Sequence, residues 1–322
     1  MEEFNFINSI KSKYYKQSSV IKGIGDDGAI INPVNGEHLV ISTDTMVENV
    51  HFSLDYMALE DIGHRVLAAN ISDLAAMGSR PLYYMVNISS PSTYDNSQLI
   101  QIMNGMTALA CHYQMDLIGG DTTSSDQLVI TVTVFGAKLS SLNRLRSSAK
   151  ENDIVFVTGR LGEAAYGFKY IQDGIASKDN YFINRHIRPI PRIDFAEETN
   201  DIKRICLNDV SDGIASELNE IAEESNVTIE IDWSNIPIHH EMKDLDKATL
   251  KQFSLSSGED FELVGTCSQD DWERIQKKCE SKGIAVTHIG HVLNNDQNQA
   301  KVILKDEKSR LVLNRDGYQH GK

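Results

Sequence analysis

The chain has 322 residues, which exceeds the size at which a single hydrophobic core usually stops growing, so two domains are expected. Its apolar fraction of 41% permits a substantial core. The formal net charge of −15 argues against nucleic acid or an anionic membrane as the partner, and it disfavours an anionic substrate unless bound cations offset the repulsion.

Cysteine usage and the start of the chain indicate the compartment. The four cysteines are scattered without CxxC spacing, which predicts neither a zinc site nor a disulfide framework. The first residues, MEEFNFINSI, lack the basic and apolar regions of a signal peptide, and no apolar run approaches the roughly 18 residues of a membrane span. We therefore expect a soluble, reduced, cytoplasmic protein.

The first elements are a short helix and a strand. Residues 4–16 carry apolar side chains at helical spacing and predict a leading helix. The glycines within 23–28 match a dinucleotide-binding pattern by letter, but the helix that such a site requires does not follow, so we reject that interpretation. Residues 39–41 predict a buried strand, which would place the polar residues 42–44 at its carboxyl end.

The segment from Asp61 to Gly78, DIGHRVLAANISDLAAMG, repeats apolar residues at helical spacing and ends at a glycine. This pattern predicts one amphipathic helix with an apolar stripe. Asp73 falls in its last turns, where the helix dipole disfavours a carboxylate by about 0.3–1 kcal/mol unless a cation compensates. Asp73 is therefore either a solvated residue or a metal ligand on a rigid element.

A strand is predicted at 82–89, followed by a second amphipathic helix at 99–113 with Asp95 or Ser97 as its N-cap. The GGDTT segment at 119–123 then has two interpretations. Its glycines either let the backbone approach a ligand closely or form a tight turn before the next strand.

That next strand is predicted at 128–135, and the polar stretch at 136–150 predicts the domain boundary. A strand at 154–157 then leads into the turn TGRLG and a helix, a weak indication of a phosphate-binding element. The DVSDG segment at 209–213 opens another helix, for which Ser211 or Asp212 is either the N-cap or part of a phosphate site. The remaining predictions are strands at 228–231, 286–292 and 302–304, an acidic loop at 257–260 before a strand, and a helix at 268–281.

Acids therefore adjoin glycine, serine or threonine at five places where elements begin or end. They are GIGDD (23–27), STDT (42–45), the Asp73 segment, GGDTT (119–123) and DVSDG (209–213). Mg²⁺ takes oxygen ligands, of which few are protein carboxylates and the rest are waters and substrate phosphates. The arrangement predicts several Mg²⁺ ions and a polyphosphate.

In this order the segments resemble the thiamine-monophosphate kinases, a family in the superfamily that includes aminoimidazole ribonucleotide synthetase. The matching pieces span nearly the whole chain: GIGDDGAI (23–30), STDTMVENVHF (42–52), NISDLAAMG (70–78), GGDTT (119–123), VTGRLGEAAYG (157–167), RPIPR (188–192), DVSDGIA (209–215) and SGEDFEL (257–263). The chain departs from the family pattern at Gly28, Ser257 and Phe261, which are small changes beside the acids.

The resemblance implies a mixed α/β (α+β) fold of the aminoimidazole ribonucleotide synthetase type. Its N-terminal domain would cover residues 1–140, its C-terminal domain residues 141–322, and the active site would lie in the cleft between them. The implied reaction is ATP-dependent phosphorylation of thiamine monophosphate to thiamine diphosphate, with ADP as the other product and several Mg²⁺ ions as cofactors. The family also pairs its N-terminal domains, which implies a homodimer.

The family's functional positions fall on residues of this chain. The implied metal ligands are Asp27, Ser42, Thr43, Asp44, Asp73, Asp121, Asp209 and Asp212. The implied ATP contacts are Gly120, Asp121, Arg146 and Ser211, and the implied thiamine contacts are His51, Glu259 and Tyr318. Direct catalytic roles are expected for Asp73, Asp44, Asp121 and Asp212.

Phosphoryl transfer requires in-line positioning and cancellation of charge rather than covalent help from the protein. The acceptor would itself be a phosphate, largely ionised near neutral pH because its second pKa is about 6, so no general base is required. We expect Asp73 to bridge metals between the two phosphate chains and Asp44 and Asp121 to hold the nucleotide's Mg²⁺. Arg146 would lie against the ATP phosphates, and Glu259 would accept hydrogen bonds from the aminopyrimidine.

Other functions remain open at this stage. An amide-activating synthetase of the same superfamily is one, although the VENVHF and SGEDFEL segments favour the thiamine enzyme. Selenophosphate synthetase is disfavoured because it needs a reactive cysteine or selenocysteine near the N-terminus and the first cysteine here is Cys111. A nucleotide-binding regulator and a multinuclear metal phosphatase are the alternatives from other classes.

Overall fold

The structure is a computed structural model that describes residues 20–22, 26–32, 38–139, 143–175, 180–295, 300–307, 309–315 and 317. The predicted helix at 4–16 and the predicted substrate residue Tyr318 lie outside these ranges. The described residues form two β-sheets and eight α-helices, so the prediction of a mixed α/β fold is confirmed. No helix within these ranges is long and apolar enough to cross a membrane.

The first sheet has six strands in the order β1-β2-β3-β6-β4-β5. They are β1 (Val20–Lys22), β2 (Ala29–Ile31), β3 (Leu39–Val47), β4 (Ser79–Ser90), β5 (Asp116–Ser124) and β6 (Val129–Lys138). Neighbouring strands are antiparallel except for the parallel pair β4 and β5. Helix α1 (Leu59–Ala76) packs on β3, β4 and β6, and helix α2 (Asn96–His112) packs on α1.

Strand β3 is longer than its apolar residues alone predicted. It pairs with β6 along its whole length, so residues 42–44 lie inside the strand and not beyond its carboxyl end. Successive side chains of a strand point to opposite faces. Ser42 and Asp44 therefore share the face of Val40, which is buried beneath α1, whereas Thr43 lies on the opposite face and donates a hydrogen bond to the Val132 carbonyl at 3.0 Å.

Helix α1 lies between the first sheet on one side and elements of the second half on the other. Because of this, 14 of its 18 residues are buried, and the expectation of a single apolar stripe was wrong. Polar residues within α1 are buried as well and are paired. The Asn70 amide donates to the Val66 carbonyl at 2.9 Å and accepts from the Asp44 backbone N–H at 3.0 Å.

Helices α1 and α2 cross at two glycines. A Cβ added to Gly63 would meet the Ile102 carbonyl oxygen at 1.9 Å, and one added to Gly105 would meet the Glu60 carbonyl oxygen at 1.8 Å. The absence of side chains thus fixes how closely the helices approach. Helix α2 begins with Asp95 as its cap, whose carboxylate accepts from the Gln98 N–H, so Asp95 rather than Ser97 is the N-cap.

The second sheet has seven strands in the order β13-β12-β9-β11-β7-β10-β8. They are β7 (Ile154–Thr158), β8 (Ile205–Asp209), β9 (Thr228–Asp232), β10 (Leu263–Cys267), β11 (Val286–Leu293), β12 (Lys301–Asp306) and β13 (Ser309–Leu313). The helices of this half are α3 (Glu163–Gln172), α4 (Tyr181–Ile187), α5 (Ile193–Glu198), α6 (Ile214–Ser225), α7 (Lys247–Lys251) and α8 (Gln269–Lys282).

The predicted boundary stretch at 136–150 is divided between the two halves: residues 136–138 complete β6 of the first sheet, whereas Arg144 packs against the second half. Arg144 is 2% exposed, and its guanidinium donates to the carbonyls of Ile202 at 2.8 Å and Thr199 at 2.7 Å. One apolar cluster includes residues from both halves, such as Leu74 of α1 and Phe156 of β7. The two halves therefore share a core, and residues of both halves line a cleft.

Candidate active site

Three carboxylates from distant parts of the chain meet at one end of this cleft. Asp27 precedes β2, Asp73 lies in the last turn of α1, and Asp209 ends β8. Their ligand oxygens all lie within 4.8 Å of one another. The Ser42 hydroxyl donates to Asp73 and the Ser72 hydroxyl donates to Asp209 at 2.8 Å, so two carboxylates of this acid cluster are oriented by serines.

The cluster is electrostatically strained when only the protein is considered. Burial, followed by repulsion from Asp44, Asp209 and Asp27, raises the pKa of Asp73 well above its ordinary value. Burial and the charge of Asp27 raise the pKa of Asp209 and of Asp44 in the same way. Each effect disfavours the ionised form, and a divalent cation would reverse it. A set of closely spaced carboxylate oxygens fits Mg²⁺, which prefers hard oxygen ligands.

Arg146 lies against the acid cluster. Its guanidinium contacts the carboxylates of Asp27 at 2.9 Å and Glu220 at 3.0 Å, and it donates to the side-chain amide oxygen of Asn208 at 3.1 Å. It is therefore engaged by protein acids and is not among the residues that line the cleft. Its contact with ATP stays a prediction.

The cleft has a volume of about 830 Å³, within the range of small-molecule sites. Half of the residues predicted for metal, nucleotide and substrate line it: Asp44, His51, Asp73, Asp209, Ser211, Asp212 and Glu259. The Nδ1 atom of His51 accepts a hydrogen bond from the Val47 N–H at 3.1 Å, which fixes the orientation of its ring.

Ser211 and Asp212 do not cap the helix that follows them. The N-cap of α6 is Gly213, which has no side chain to offer, and the Asp212 N–H donates to the Glu217 carboxylate at 3.0 Å. Of the two interpretations of this segment, capping by Ser211 or Asp212 is therefore wrong. Both residues face the cleft instead.

Glu259 sits on a loop with an unusual backbone. Glu259 and Phe261 have positive φ angles of 69° and 48°, and between them lies the buried Asp260. The Asp260 carboxylate accepts from the N–H groups of Gly162 at 2.6 Å and Ala164 at 3.0 Å, at the start of α3. The turn TGRLG was expected to approach a phosphate, but a protein carboxylate already occupies that position.

The next acid of the loop is enclosed by cations. Glu262 is fully buried, and its carboxylate accepts from Arg192 at 2.5 Å, Arg185 at 2.8 Å and the Thr158 hydroxyl at 2.7 Å. Burial alone would raise the pKa of Glu262, but the two guanidinium groups outweigh it and the pKa is lowered. This pair of arginines anchors the loop that carries Glu259.

Three further residues of this region were not predicted from the sequence: Arg65, Ser72 and His186. Arg65 of α1 donates to Glu259, and the His186 Nδ1 lies 3.5 Å from the same carboxylate. A signal was available for Arg65 and Ser72, since apolar residues surround α1 and its polar residues must then be buried and paired. His186 had no comparable signal.

The single chain does not bring Gly120 and Asp121 to the acid cluster. Both lie in β5, so the alternative of a tight turn was wrong. The sheet register runs Thr45, Thr131, Asn87, Asp121, which puts Asp121 three strands from β3, or roughly 14 Å at about 4.8 Å per strand.

The close approach at Gly120 involves the neighbouring strand, because a Cβ there would meet the Val86 carbonyl oxygen at 1.9 Å. Thr43 belongs to the face of β3 opposite Asp44, as described above. The metal and ATP roles of Thr43, Gly120 and Asp121 remain predictions.

Comparison with known proteins agrees with the sequence resemblance. Two family models match the chain, the AIR synthase related protein N-terminal domain at residues 25–137 and the corresponding C-terminal domain at residues 150–303. Thiamine-monophosphate kinase of Bacillus subtilis is 45% identical over 328 aligned positions that cover 100% of both chains.

Two solved structures extend the likeness to the whole fold. One is AaThiL complexed with AMPPCP and TMP, with a TM-score of 0.81 and 26% identity over 99% of this chain and 97% of that one. The other is thiamine-monophosphate kinase from Stenotrophomonas maltophilia, with a TM-score of 0.77 and 31% identity over 95% and 98%. The chain therefore belongs to the thiamine-monophosphate kinase family.

Proposed function

We propose that the protein transfers the γ-phosphoryl group of ATP to thiamine monophosphate, forming thiamine diphosphate and ADP. The observation that carries the proposal is the cluster of Asp27, Asp73 and Asp209 at one end of a cleft that also contains Glu259. The AaThiL structure, described as complexed with AMPPCP and TMP, supports the same pair of substrates.

The acidic residues and two serines have separate roles in this proposal. Asp27, Asp73 and Asp209, with Asp44 beside them, would hold Mg²⁺, and Ser42 and Ser72 orient two of these carboxylates. Bound Mg²⁺ supplies charge cancellation between the two phosphate chains. Asp73 is central to this arrangement because Asp44, Asp209 and Asp27 all lie close enough to perturb it.

No proton needs to be removed from the acceptor, since a phosphate monoester is largely ionised near neutral pH. The protein's task is therefore to place the acceptor in line and to keep water out. His51 and Glu259 would contact the thiamine moiety, and Ser211 and Arg146 the nucleotide. Tyr318 remains proposed from the family pattern alone.

We also propose a homodimer formed through the first sheet. Its edge strand β5 is exposed along its length, with Leu117 and Ile118 48% and 54% exposed, and Tyr83 and Met85 of β4 are 40% and 37% exposed. An apolar patch of this kind on a sheet edge is typical of an interface. Pairing there would let Gly120 and Asp121 of one copy complete the site of the other.

The division into domains near residue 140 and a cytoplasmic location complete the proposal. Each half has its own sheet, with the first ending at Lys138 and the second starting at Ile154. All four cysteines are in the described part of the chain and are free thiols, which supports a reducing compartment.

The test is to incubate the purified protein with Mg-ATP, with and without thiamine monophosphate, and to separate the nucleotides and thiamine phosphates by chromatography. We expect equal amounts of ADP and thiamine diphosphate, formed only when the monophosphate is present. Phosphate release that is indifferent to thiamine monophosphate would contradict the proposal and indicate a hydrolase. Absence of ATP turnover would favour a nucleotide-binding regulator.

A further inference from the structure

We infer that Arg65 is a positioning residue for the organic end of the substrate: it holds the Glu259 carboxylate by one oxygen, so that the other is presented to the cleft. The inference rests on the proposed function and concerns a residue outside the set implied by the family resemblance. It is supported by the contacts of Arg65, the backbone of the Glu259 loop and the surroundings of the carboxylate.

Arg65 is a fully buried cation with two fixed contacts. Its side chain is 0% exposed and projects from α1, the helix that also carries Asp73. Nη1 donates to the His186 carbonyl and Nη2 donates to the Glu259 Oε1. Because one contact is to the main chain of α4, the guanidinium is tied to the protein independently of Glu259.

Glu259 itself faces the cleft. Its side chain is 37% exposed, and its second oxygen, Oε2, lies 3.5 Å from the His186 Nδ1. The contact through Oε1 therefore immobilises the carboxylate without enclosing it. This differs from Glu262, whose carboxylate is fully buried and taken up by Arg185, Arg192 and Thr158.

The backbone at Glu259 needs such support. A φ of 69° is strained at a residue with a side chain and persists when surrounding contacts determine it. The Glu259 N–H donates to the Ser211 carbonyl at 2.7 Å, which holds the main chain, while Arg65 holds the side chain. Together these contacts define one direction for Oε2.

The other groups that face Glu259 are uncharged or more distant. His186 is 3% exposed, and burial together with Arg65 lowers its pKa to about 3, so its ring is neutral. It packs against Phe168 and Tyr56, with ring centroids at 5.0 Å and 6.1 Å. His51 adds a weaker attraction. Burial alone would raise the pKa of Glu259, and Arg65 is the largest of the opposing effects that lower it.

Arg65 and Asp73 are eight residues apart on α1, or about 12 Å along the helix axis. One rigid helix thus sets the spacing between the carboxylate for the organic end and the cluster for the phosphates. A substrate that contacts both Glu259 and the acid cluster must match the spacing that α1 fixes. We therefore expect Arg65 to affect KM for thiamine monophosphate rather than the transfer step.

The test compares Arg65→Met, Arg65→Lys and the control Arg144→Met. Arg144 is a comparably buried arginine that donates only to the backbone carbonyls of Ile202 and Thr199 in the described structure, so its loss lowers stability without touching Glu259. For each protein kcat and KM for both substrates are measured between pH 5.5 and 8, with thermal melting and calorimetric binding of thiamine monophosphate.

We expect Arg65→Met to raise KM for thiamine monophosphate at least tenfold, with kcat and KM for ATP within twofold of wild type. The increase should grow as pH falls, because burial without the guanidinium favours the protonated carboxyl. Arg65→Lys should raise this KM less than Arg65→Met does, and Arg144→Met should leave it unchanged. If methionine at position 65 prevents folding, a three- to tenfold rise in Arg65→Lys is the supporting result.

If wild type and folded Arg65→Met have equal KM and equal calorimetric affinity for thiamine monophosphate, the inference is overturned but the proposed function is not. A loss of kcat at unchanged KM would also overturn it, because it would place Arg65 in the transfer step. Wild-type protein that phosphorylates nothing and does not bind thiamine monophosphate would overturn the proposed function together with the inference.

Discussion

Carboxylates at the two ends of the cleft have opposite electrostatic surroundings. At the end proposed to bind metal, called the metal end below, Asp27, Asp73 and Asp209 crowd together, and burial and repulsion raise the pKa of Asp73 and Asp209. At the organic end, Glu259 and Glu262 are each held by arginine, and their pKa values are lowered. The first arrangement holds more negative charge than Arg146 alone offsets, and the second is already neutralised by the protein.

The difference indicates what each end is built to receive. Crowded carboxylates are costly in the protein alone and would become favourable with bound divalent cations, which is the role proposed for this end. Carboxylates that arginines hold in place need no ion and serve as fixed contacts or anchors. The same contrast predicts that substitutions at the two ends will change stability in opposite directions.

The largest effect should come from Asp73→Asn. The substitution keeps the size of the side chain but removes the charge at the centre of the acid cluster, so turnover should fall by at least about 10²–10³-fold while the protein stays folded. Steady-state rates and circular dichroism measure the two quantities. Asp126→Asn, in an exposed loop, is the control. Full activity of Asp73→Asn would remove the metal-bridging role.

At the organic end, Glu262→Gln should lower the free energy of unfolding by about 3–5 kcal/mol, because it removes the buried charge that pairs with both Arg185 and the partly buried Arg192, and leaves Arg185 with Glu163 alone. Urea denaturation of metal-free protein measures this change. A loss below about 1 kcal/mol would show that Glu262 does not anchor the loop, and the contrast between the two ends would then fail.

The pH dependence of stability should reflect the metal end. Burial and Asp27 raise the pKa of Asp26 to about 7, and the pKa values of Asp73 and Asp209 are raised too, so the folded protein takes up protons more readily than the unfolded chain as pH falls from 8 to 6. Metal-free protein should therefore gain stability over this range.

Thermal melting at several pH values, with and without Mg²⁺, tests this expectation. Mg²⁺ should stabilise the protein most at pH 8, so the melting temperature should vary less with pH when the ion is present. Burial raises the pKa of Asp260 to about 7, so Asp260 contributes to the pH dependence of stability with or without metal. The lowered pKa values of Glu259 and Glu262 act only at lower pH. The lowered pKa values of His64, His186 and His288 oppose the gain near pH 6, because the unfolded chain takes up those protons first. Stability that falls between pH 8 and 7, where these histidines contribute little, would contradict the charge assignment at the metal end.

The smallest expected effect is a gain of about 0.5–2 kcal/mol in the unfolding free energy of metal-free Asp209→Asn, since one repelling charge is removed and Ser72 can still donate to the amide oxygen. Mg²⁺ should stabilise this variant less than the wild type. Denaturation curves of both proteins with and without the ion provide the comparison. Destabilisation of the metal-free variant would show that Asp209 is held by attractive contacts.

Local patterns predicted several of these features from the sequence. The apolar repeat and terminal glycine predicted α1 with Asp73 near its end, and the residues around Asp95 predicted the cap of α2. The acidic segments predicted where carboxylates would converge, and Asp27, Asp73 and Asp209 do so. In each case the signal is short in range or is repeated along the chain.

The features that were missed depend on long-range packing. Apolar residues on several sides of α1 signal that the helix is buried, but they do not specify the partners of Arg65 and Ser72, which lie 194 and 137 positions further along the chain. The strand β5 contains two glycines and was taken for a loop or turn, although pairing with β4 supports it. The contact of Asp260 with the start of α3 joins residues about a hundred positions apart, which no local pattern specifies.

The most direct test of the account is a crystal structure with Mn²⁺, a non-hydrolysable ATP analogue and thiamine monophosphate. Anomalous scattering would locate the ions, and we predict at least one peak bounded by carboxylate oxygens of Asp27, Asp73 and Asp209, with the aminopyrimidine against Glu259. Ions bound elsewhere while these three carboxylates stay unliganded would contradict the central claim that this cluster is the metal end of the active site.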